Sequence, residues 1–174
     1  SAGPDRASHD GMPFASWYLS EMRSLRQGGQ RLLDVFDEHY YPQADGVSLS
    51  PAGSSAVQAR RLRSTRSLWD PSYTDESWIS DLAPGGVAVR LIPRMRAWVD
   101  ANFPGTRLGI TEYNFGGLES LNGALAQADV LGILGREGVT LATLWGAGRA
   151  SQPWAYAFRM FRDFDGRGSG FGTT

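Results

Sequence analysis

Cysteine does not occur among the 174 residues. Its absence excludes a disulfide framework, a thiolate metal site and cysteine nucleophilic chemistry, and it leaves the redox compartment open. Charge of one sign is not in excess either, since 17 Lys and Arg stand against 18 Asp and Glu for a formal net charge of -1. Polyanion binding draws on a marked basic excess, so nucleic acid is not an expected partner. Long hydrophobic runs are missing as well. Nothing approaches the roughly 18 apolar residues of a membrane-spanning helix, and the opening "SAGPDRASHDG" has no apolar signal core, so no membrane partner is expected.

What is present suits one compact unit, because 41% hydrophobic and 11% aromatic residues can fill a sizeable core. From Pro13, the apolar residues Phe14, Trp17, Tyr18, Met22 and Leu25 recur at helical spacing until Gly28 and Gly29. "LLDVFDEHYYP" then reads as a short strand closed by Pro42, and "SAVQARRLRSTRSLW" as a helix. A second apolar stripe, Leu91, Ile92, Met95, Trp98 and Val99, predicts a helix that stops before "FPGT". "RLGIT" and "VTLATLW" read as buried strands on either side of a small-residue helix, "LNGALAQADVLGILGREG". Trp154, Phe158 and Phe161 mark a last amphipathic helix.

Helices alternating with short, continuously apolar strands predict an α/β fold with a parallel sheet covered on both faces. Ligands of such folds sit beyond the carboxyl ends of the strands. Three strands end in groups capable of chemistry: Glu38, His39, Tyr40 and Tyr41 on the first, Glu112, Tyr113 and Asn114 on the second, and Trp145 with Gly146 on the third. Rings that stack on sugar faces, set beside carboxylates, are what glycosidic cleavage requires. Glu112, placed where a rigid strand gives way to two glycines, is the candidate nucleophile, with a capping or surface carboxylate as the competing role.

Several segments taken together, "LLDVFDEHYYPQ", "LWDPSYTDESWI", "LIPRMRAWVDANFPGTRLGITEYNFGG", "NGALAQADVLGILGREGVTLATLW" and "AFRMFRDFDGRG", resemble glycoside hydrolase family 44, whose members are retaining endo-β-1,4-glucanases and xyloglucanases. The resemblance implies a (β/α)8 TIM-barrel type of fold, of which this chain covers roughly strands five to eight, with "SAGP" at the end of the fifth. It implies that Glu112, in the I-T-E-Y-N motif ending the seventh strand, is the nucleophile, and that Trp145 floors the sugar subsite beside the cleaved bond. His39 and Tyr40 match an H-Y-Y-P motif whose residues contact nucleophile or sugar. The implied substrate is β-glucan or xyloglucan, and the implied location is extracellular.

The family's Asn-Glu-Pro motif, which carries the general acid/base, does not occur in this sequence. The chain therefore reads as the C-terminal half of a barrel, expected to pair with a missing N-terminal half or to self-associate through open sheet edges and an apolar inner face. Glu38 and Glu76 are the stand-ins to weigh as acid, although alternation puts Glu38 opposite Asp37 and His39. Tyr113 either orients the nucleophile or lines the substrate cleft, with plain packing as the competing role, and Trp78 is placed to stack a more distant sugar. Trp17 and Trp98 are expected in the core.

The long connection from Pro42 to Arg90 far exceeds the usual loop of about 4–6 residues, which predicts a groove wall and an endo-acting enzyme. Asp5, His9 and Asp10 match no strong metal pattern and are expected in a solvated loop; neither metal nor cofactor is expected. The competing functions are a non-catalytic carbohydrate-binding half-barrel and a barrel glycosidase of mannanase or xylanase specificity.

Overall fold

The computed structural model describes residues 4–26, 29–82, 86–146 and 148–170. Three strands, β1 (Val35–Tyr40), β2 (Arg107–Tyr113) and β3 (Leu141–Leu144), form a parallel sheet in the order β1-β2-β3. The helices are α1 (Pro4–Ser8), α2 (Phe14–Ser24), α3 (Ser55–Ser64), α4 (Leu91–Asn102), α5 (Leu121–Arg136) and α6 (Pro153–Arg162), with 3-10 turns at Thr65–Leu68 and Trp78–Leu82. Strand and helix thus alternate, as the sequence predicts. Of the residues expected to end a fifth strand, Ser1 to Gly3 lie outside the described residues, and Pro4 opens α1 instead.

The middle strand nucleates the core. Leu108, Ile110 and Tyr113 of β2 are all but fully buried against Ile92, Met95 and Val99 of α4 and Ala126 and Val130 of α5, with Phe36 and Tyr40 of β1 beside them. Each fully buried aliphatic or aromatic side chain of this kind contributes about 1.5–3 kcal/mol. Ser54 and Ser120 cap α3 and α5 by accepting the backbone N–H of Val57 and Gly123, so both helices start where the sequence supplies a hydroxyl.

Two packing expectations are corrected. In α2, Phe14 and Leu25 are half exposed, and the buried line runs through Leu19, with Ala15, Tyr18 and Met22 against the core. Five large apolar residues at approximate helical spacing do not define one face; the side that meets α4 does. Trp17 consequently leaves the core and stacks on His9, ring centroids 4.1 Å apart, so His9 is a half-buried ring partner and not a solvated loop residue. Trp98 does pack against the core, edge-on to Phe36.

The other face of the sheet is polar, not apolar. Asp37, His39, Thr111, Glu112 and Thr143 meet there in one hydrogen-bonded group. Glu38 points the opposite way, into a groove of about 420 Å³ that it shares with Phe14, Tyr18 and Phe36. Burial, with Asp37's charge adding to it, raises the Glu38 carboxyl above its ordinary value. The folded state then holds this proton more tightly than the unfolded chain, so stability falls as pH climbs from the ordinary carboxylate range through the raised value. Glu38→Gln is expected to raise Tm by about 1–3 °C at pH 7 and to lose that advantage below pH 4, as thermal unfolding at the two pH values would show.

Candidate active site

Regular alternation along β2 would send Leu108, Ile110 and Glu112 to one face. The registers show otherwise. Asp37 pairs with Gly109 but His39 pairs with Glu112, and Ala142 pairs with Ile110 but Leu144 pairs with Tyr113, so β2 carries one residue more than either neighbour. This β-bulge shifts the phase: Tyr113 joins Leu108 and Ile110 in the core, and Glu112 joins Gly109 on the polar face. The carboxylate is re-aimed by one extra residue.

Around Glu112 two side chains converge on a single oxygen. The Tyr41 hydroxyl donates to Glu112 Oε2 at 2.9 Å, and His39 Nδ1 lies 3.2 Å from the same atom. Desolvation and the adjoining Glu112 carboxylate push the Tyr41 phenol up to about 12, so it remains a donor throughout the neutral range. The other carboxylate oxygen carries no such donor from these two side chains. The contacts on Oε2 restrain the carboxylate, which suits a group that attacks along a fixed line.

Two aromatic assignments change. Tyr40 lies in the core, 6% exposed, its ring 6.0 Å from Phe115. Tyr113 is 2% exposed and accepts a hydrogen bond from Gln127 Nε2. Neither reaches the polar face. In β1, Phe36, Glu38 and Tyr40 share the covered side, which leaves Asp37, His39 and then Tyr41 on the other; the same alternation that places His39 would have found Tyr41.

Both candidate indoles are exposed, one after β3 and one in the 3-10 turn of the long connection. Trp145 follows β3 and is 53% exposed, its backbone tied to β2 by an N–H bond to the Tyr113 carbonyl and by Asn114 Nδ2 donating to its own carbonyl. Trp78, 58% exposed, donates its indole N–H to Gln43 Oε1, and Gln43 Nε2 in turn donates to the Tyr41 carbonyl. Asn114 also explains the break after Glu112. Its Oδ1 accepts the Gly116 N–H, and a Cβ on Gly116, at φ 71°, would lie 2.0 Å from the Val47 carbonyl oxygen. The chain has to turn here on glycine, because the loop at Val47 and Ser50 packs against the Gly116 backbone.

Behind that turn stands Arg61 of α3, which is fully buried and donates to the carbonyls of Phe115, Ala52, Pro51 and Gly46 and to Asn122 Oδ1. No feature of "QARRLRSTR" singles it out. The part of the long connection around Arg61 is therefore tied to the turn after β2 and to the start of α5. Within it, Arg63 and Tyr73 hold Glu76 in hydrogen bonds, and the Arg63 guanidinium keeps its carboxyl below the usual range, which disfavours it as a proton donor. Among the described residues no group of three or more His, Asp or Glu stands where it could hold a metal ion.

A carboxylate braced at the end of a parallel strand, on a surface that also exposes indoles, has the groups that glycosidic cleavage uses. The profile of glycoside hydrolase family 44 matches residues 1–44. Endoglucanase A of Paenibacillus lautus is 38% identical over 165 residues, which cover 92% of this chain and 23% of that protein. Among solved structures, CelM2, a bifunctional glucanase-xylanase from a metagenome library, is 47% identical with a TM-score of 0.88, over 97% of this chain and 31% of CelM2. A Paenibacillus polymyxa xyloglucanase from family 44, solved with xyloglucan, is 37% identical with a TM-score of 0.86, over 98% of this chain and 34% of its own. Over nearly its whole length the chain is similar to glycoside hydrolase family 44 enzymes, and it spans about a third of the length of these solved relatives.

Tyr41 gives the site its first test. A hydrogen bond to a charged group contributes about 1.5–3 kcal/mol. Tyr41→Phe is expected to slow reaction of Glu112 with an activated glycoside about tenfold while leaving Tm within about 2 °C, because the ring lies outside the core cluster.

Proposed function

We propose that this chain forms part of the cleft of a retaining endo-β-1,4-glucanase acting on cellulose-type glucan or xyloglucan, with Glu112 as nucleophile. One observation carries the reading: Glu112 stands at the carboxyl end of the middle strand with Oε2 braced by Tyr41 and His39. Trp145 and Trp78, exposed at the ends of β3 and of the long connection, supply stacking faces for the polymer, and His39 contacts both nucleophile and sugar. Tyr113 and Tyr40 act from behind, as the packing that holds the strand ends.

The chemistry is double displacement. Glu112 attacks the anomeric carbon as the aglycone oxygen leaves with a proton, and water later releases the glycosyl group. A retaining site places its two carboxyls about 5–5.5 Å apart. Within this chain Glu38 faces a groove on the far side of β1 and Glu76 is held by arginine, so the acid is assigned to a segment that this chain does not contain.

The (β/α)8 barrel belongs to the same proposal. β1 and β3 are the outer strands of a parallel sheet whose polar face is the catalytic one, and strands supplied by an N-terminal half-barrel, or by a second copy, would continue it. So does an extracellular location, since a polymeric glucan is too large to enter a cell. No helix among the described residues is long and apolar enough to cross a membrane.

An activated 2-deoxy-2-fluoro cellobioside separates these readings, because its leaving group needs little proton donation. A cellobiosyl-sized mass increase, mapped to the peptide carrying Glu112, is the expected result. A folded chain that stays unlabelled would support the binding-only half-barrel instead. Among the relatives are a bifunctional glucanase-xylanase and a β-mannanase/endoglucanase, so polymer preference is read by comparing binding of xyloglucan, glucomannan and xylan.

A further inference from the structure

Thr111 is the residue for which neither neighbouring strand supplies a partner in register. A bulge leaves such a residue's backbone groups without their ladder bonds. Side chains of the flanking strands take them over. Asp37 Oδ1 of β1 accepts the Thr111 backbone N–H at 2.8 Å, Asp37 Oδ2 accepts the Thr111 hydroxyl, and the Thr143 hydroxyl of β3 donates to the Thr111 carbonyl. The bulge is held from both sides.

Gly109, opposite Asp37 in the register, makes room for this. A Cβ there would meet Val35 Cγ1 at 3.0 Å and Asp37 Oδ1 at 3.2 Å, so a larger residue would crowd the carboxylate out of its place. His39 belongs to the same group, with Nε2 3.4 Å from Thr111 Oγ1 and Nδ1 3.2 Å from Glu112 Oε2. If the bulge relaxed into regular alternation, Glu112 would turn toward the helices, because a one-residue slip sends a side chain to the other face.

We propose that Asp37 is a positioning residue: its carboxylate clamps the bulge at Thr111 and thereby aims Glu112 at the open face of the sheet. Its link to reactivity rests on the reading of Glu112 as nucleophile. The clamp itself does not, and the two are tested by different measurements on the same samples.

Amide hydrogen exchange at Thr111 reads the clamp. Asp37→Ala is expected to speed that exchange at least about tenfold, whereas Asp37→Asn, which keeps an acceptor for the N–H, restores most of the protection. Labelling of Glu112 by the fluoro-cellobioside reads the aim. Asp37→Ala is expected to lower the limiting rate constant by about 10–100-fold with reagent affinity changed less than about threefold, since a misplacement near 1 Å costs up to about 10² in rate.

Wild-type protection of Thr111 in Asp37→Ala would overturn the clamp. Faster exchange with an unchanged labelling rate would overturn the aiming role. If the unsubstituted chain is not labelled at all, the nucleophile reading fails while the exchange measurement still decides the clamp. Should Asp37→Ala lose its tryptophan near-UV signal, Asp37→Glu, which moves the carboxylate out by one methylene, takes its place under the same two readings.

Discussion

Glu112→Gln is expected to abolish covalent labelling by the fluoro-cellobioside, with a fall of at least about 10³-fold, equivalent to about 4 kcal/mol of transition-state stabilisation. An amide lacks the anionic oxygen that attacks the anomeric carbon, yet it matches the carboxylate in shape. Tyr41 can still donate to the amide oxygen where it now donates to Oε2, and the side chain, 28% exposed, is not packed in the core. The fold should therefore persist, with Tm within about 2 °C of the unsubstituted chain. Loss of labelling with an intact fold assigns the reaction to Glu112. An adduct that survives and maps to Asp37 or Glu38 would move the nucleophile to β1. Because Glu112 is the residue that the bulge turns outward, the same experiment asks whether that turn serves chemistry.

Much of the architecture is legible in the sequence, and the exceptions share a cause. The stripe of α4, the small-residue helix α5 and the strand-like runs of β1 and β2 predict their elements, because each buries a face against a neighbour, whereas β3, expected as a buried strand, is only partly buried. Glu112 is legible as a residue at a strand end. Its direction is not, since period-two reading from Leu108 and Ile110 sends it into the core, and only the partner strands reveal the extra residue. Tyr40 and Tyr41 show the converse. There the alternation is regular, and carrying it one residue past His39 identifies the tyrosine that touches Glu112. The long connection is legible as an insertion, whereas the packing around Arg61 depends on carbonyls of its own first turns and of Phe115 after β2 converging on one side chain. Arg61 sits in a run that looks like a solvated basic helix, and its burial is a tertiary fact.

Replacing that arginine is the second large expected effect, at about 3–5 kcal/mol for Arg61→Met. Buried charges often exchange for apolar side chains at little cost, because both partners can be replaced together. Here that exchange is not open. Four of the five groups that Arg61 binds are backbone carbonyls, of Gly46, Pro51, Ala52 and Phe115, and no substitution removes a carbonyl. Methionine would leave them and Asn122 Oδ1 in an apolar pocket, at about 1–3 kcal/mol for each group that water does not reach. Arg61→Lys should fall between, since an ammonium has three donors where the guanidinium has five in a fixed fork. For a chain of this size the Met variant should lose about 6–20 °C in Tm and the Lys variant less. Melting of the loops follows from the same contacts, because Arg61 joins the segment after β1 to the turn after β2 at Phe115 and Asn122. Hydrogen exchange should therefore rise first at Gly116 and Gly117, whose N–H groups bond to Asn114 and Ser50, before it rises in the strands. A Met variant that melts within 2 °C of the unsubstituted chain would show that solvent reaches these carbonyls and that the turn after β2 stands without its arginine.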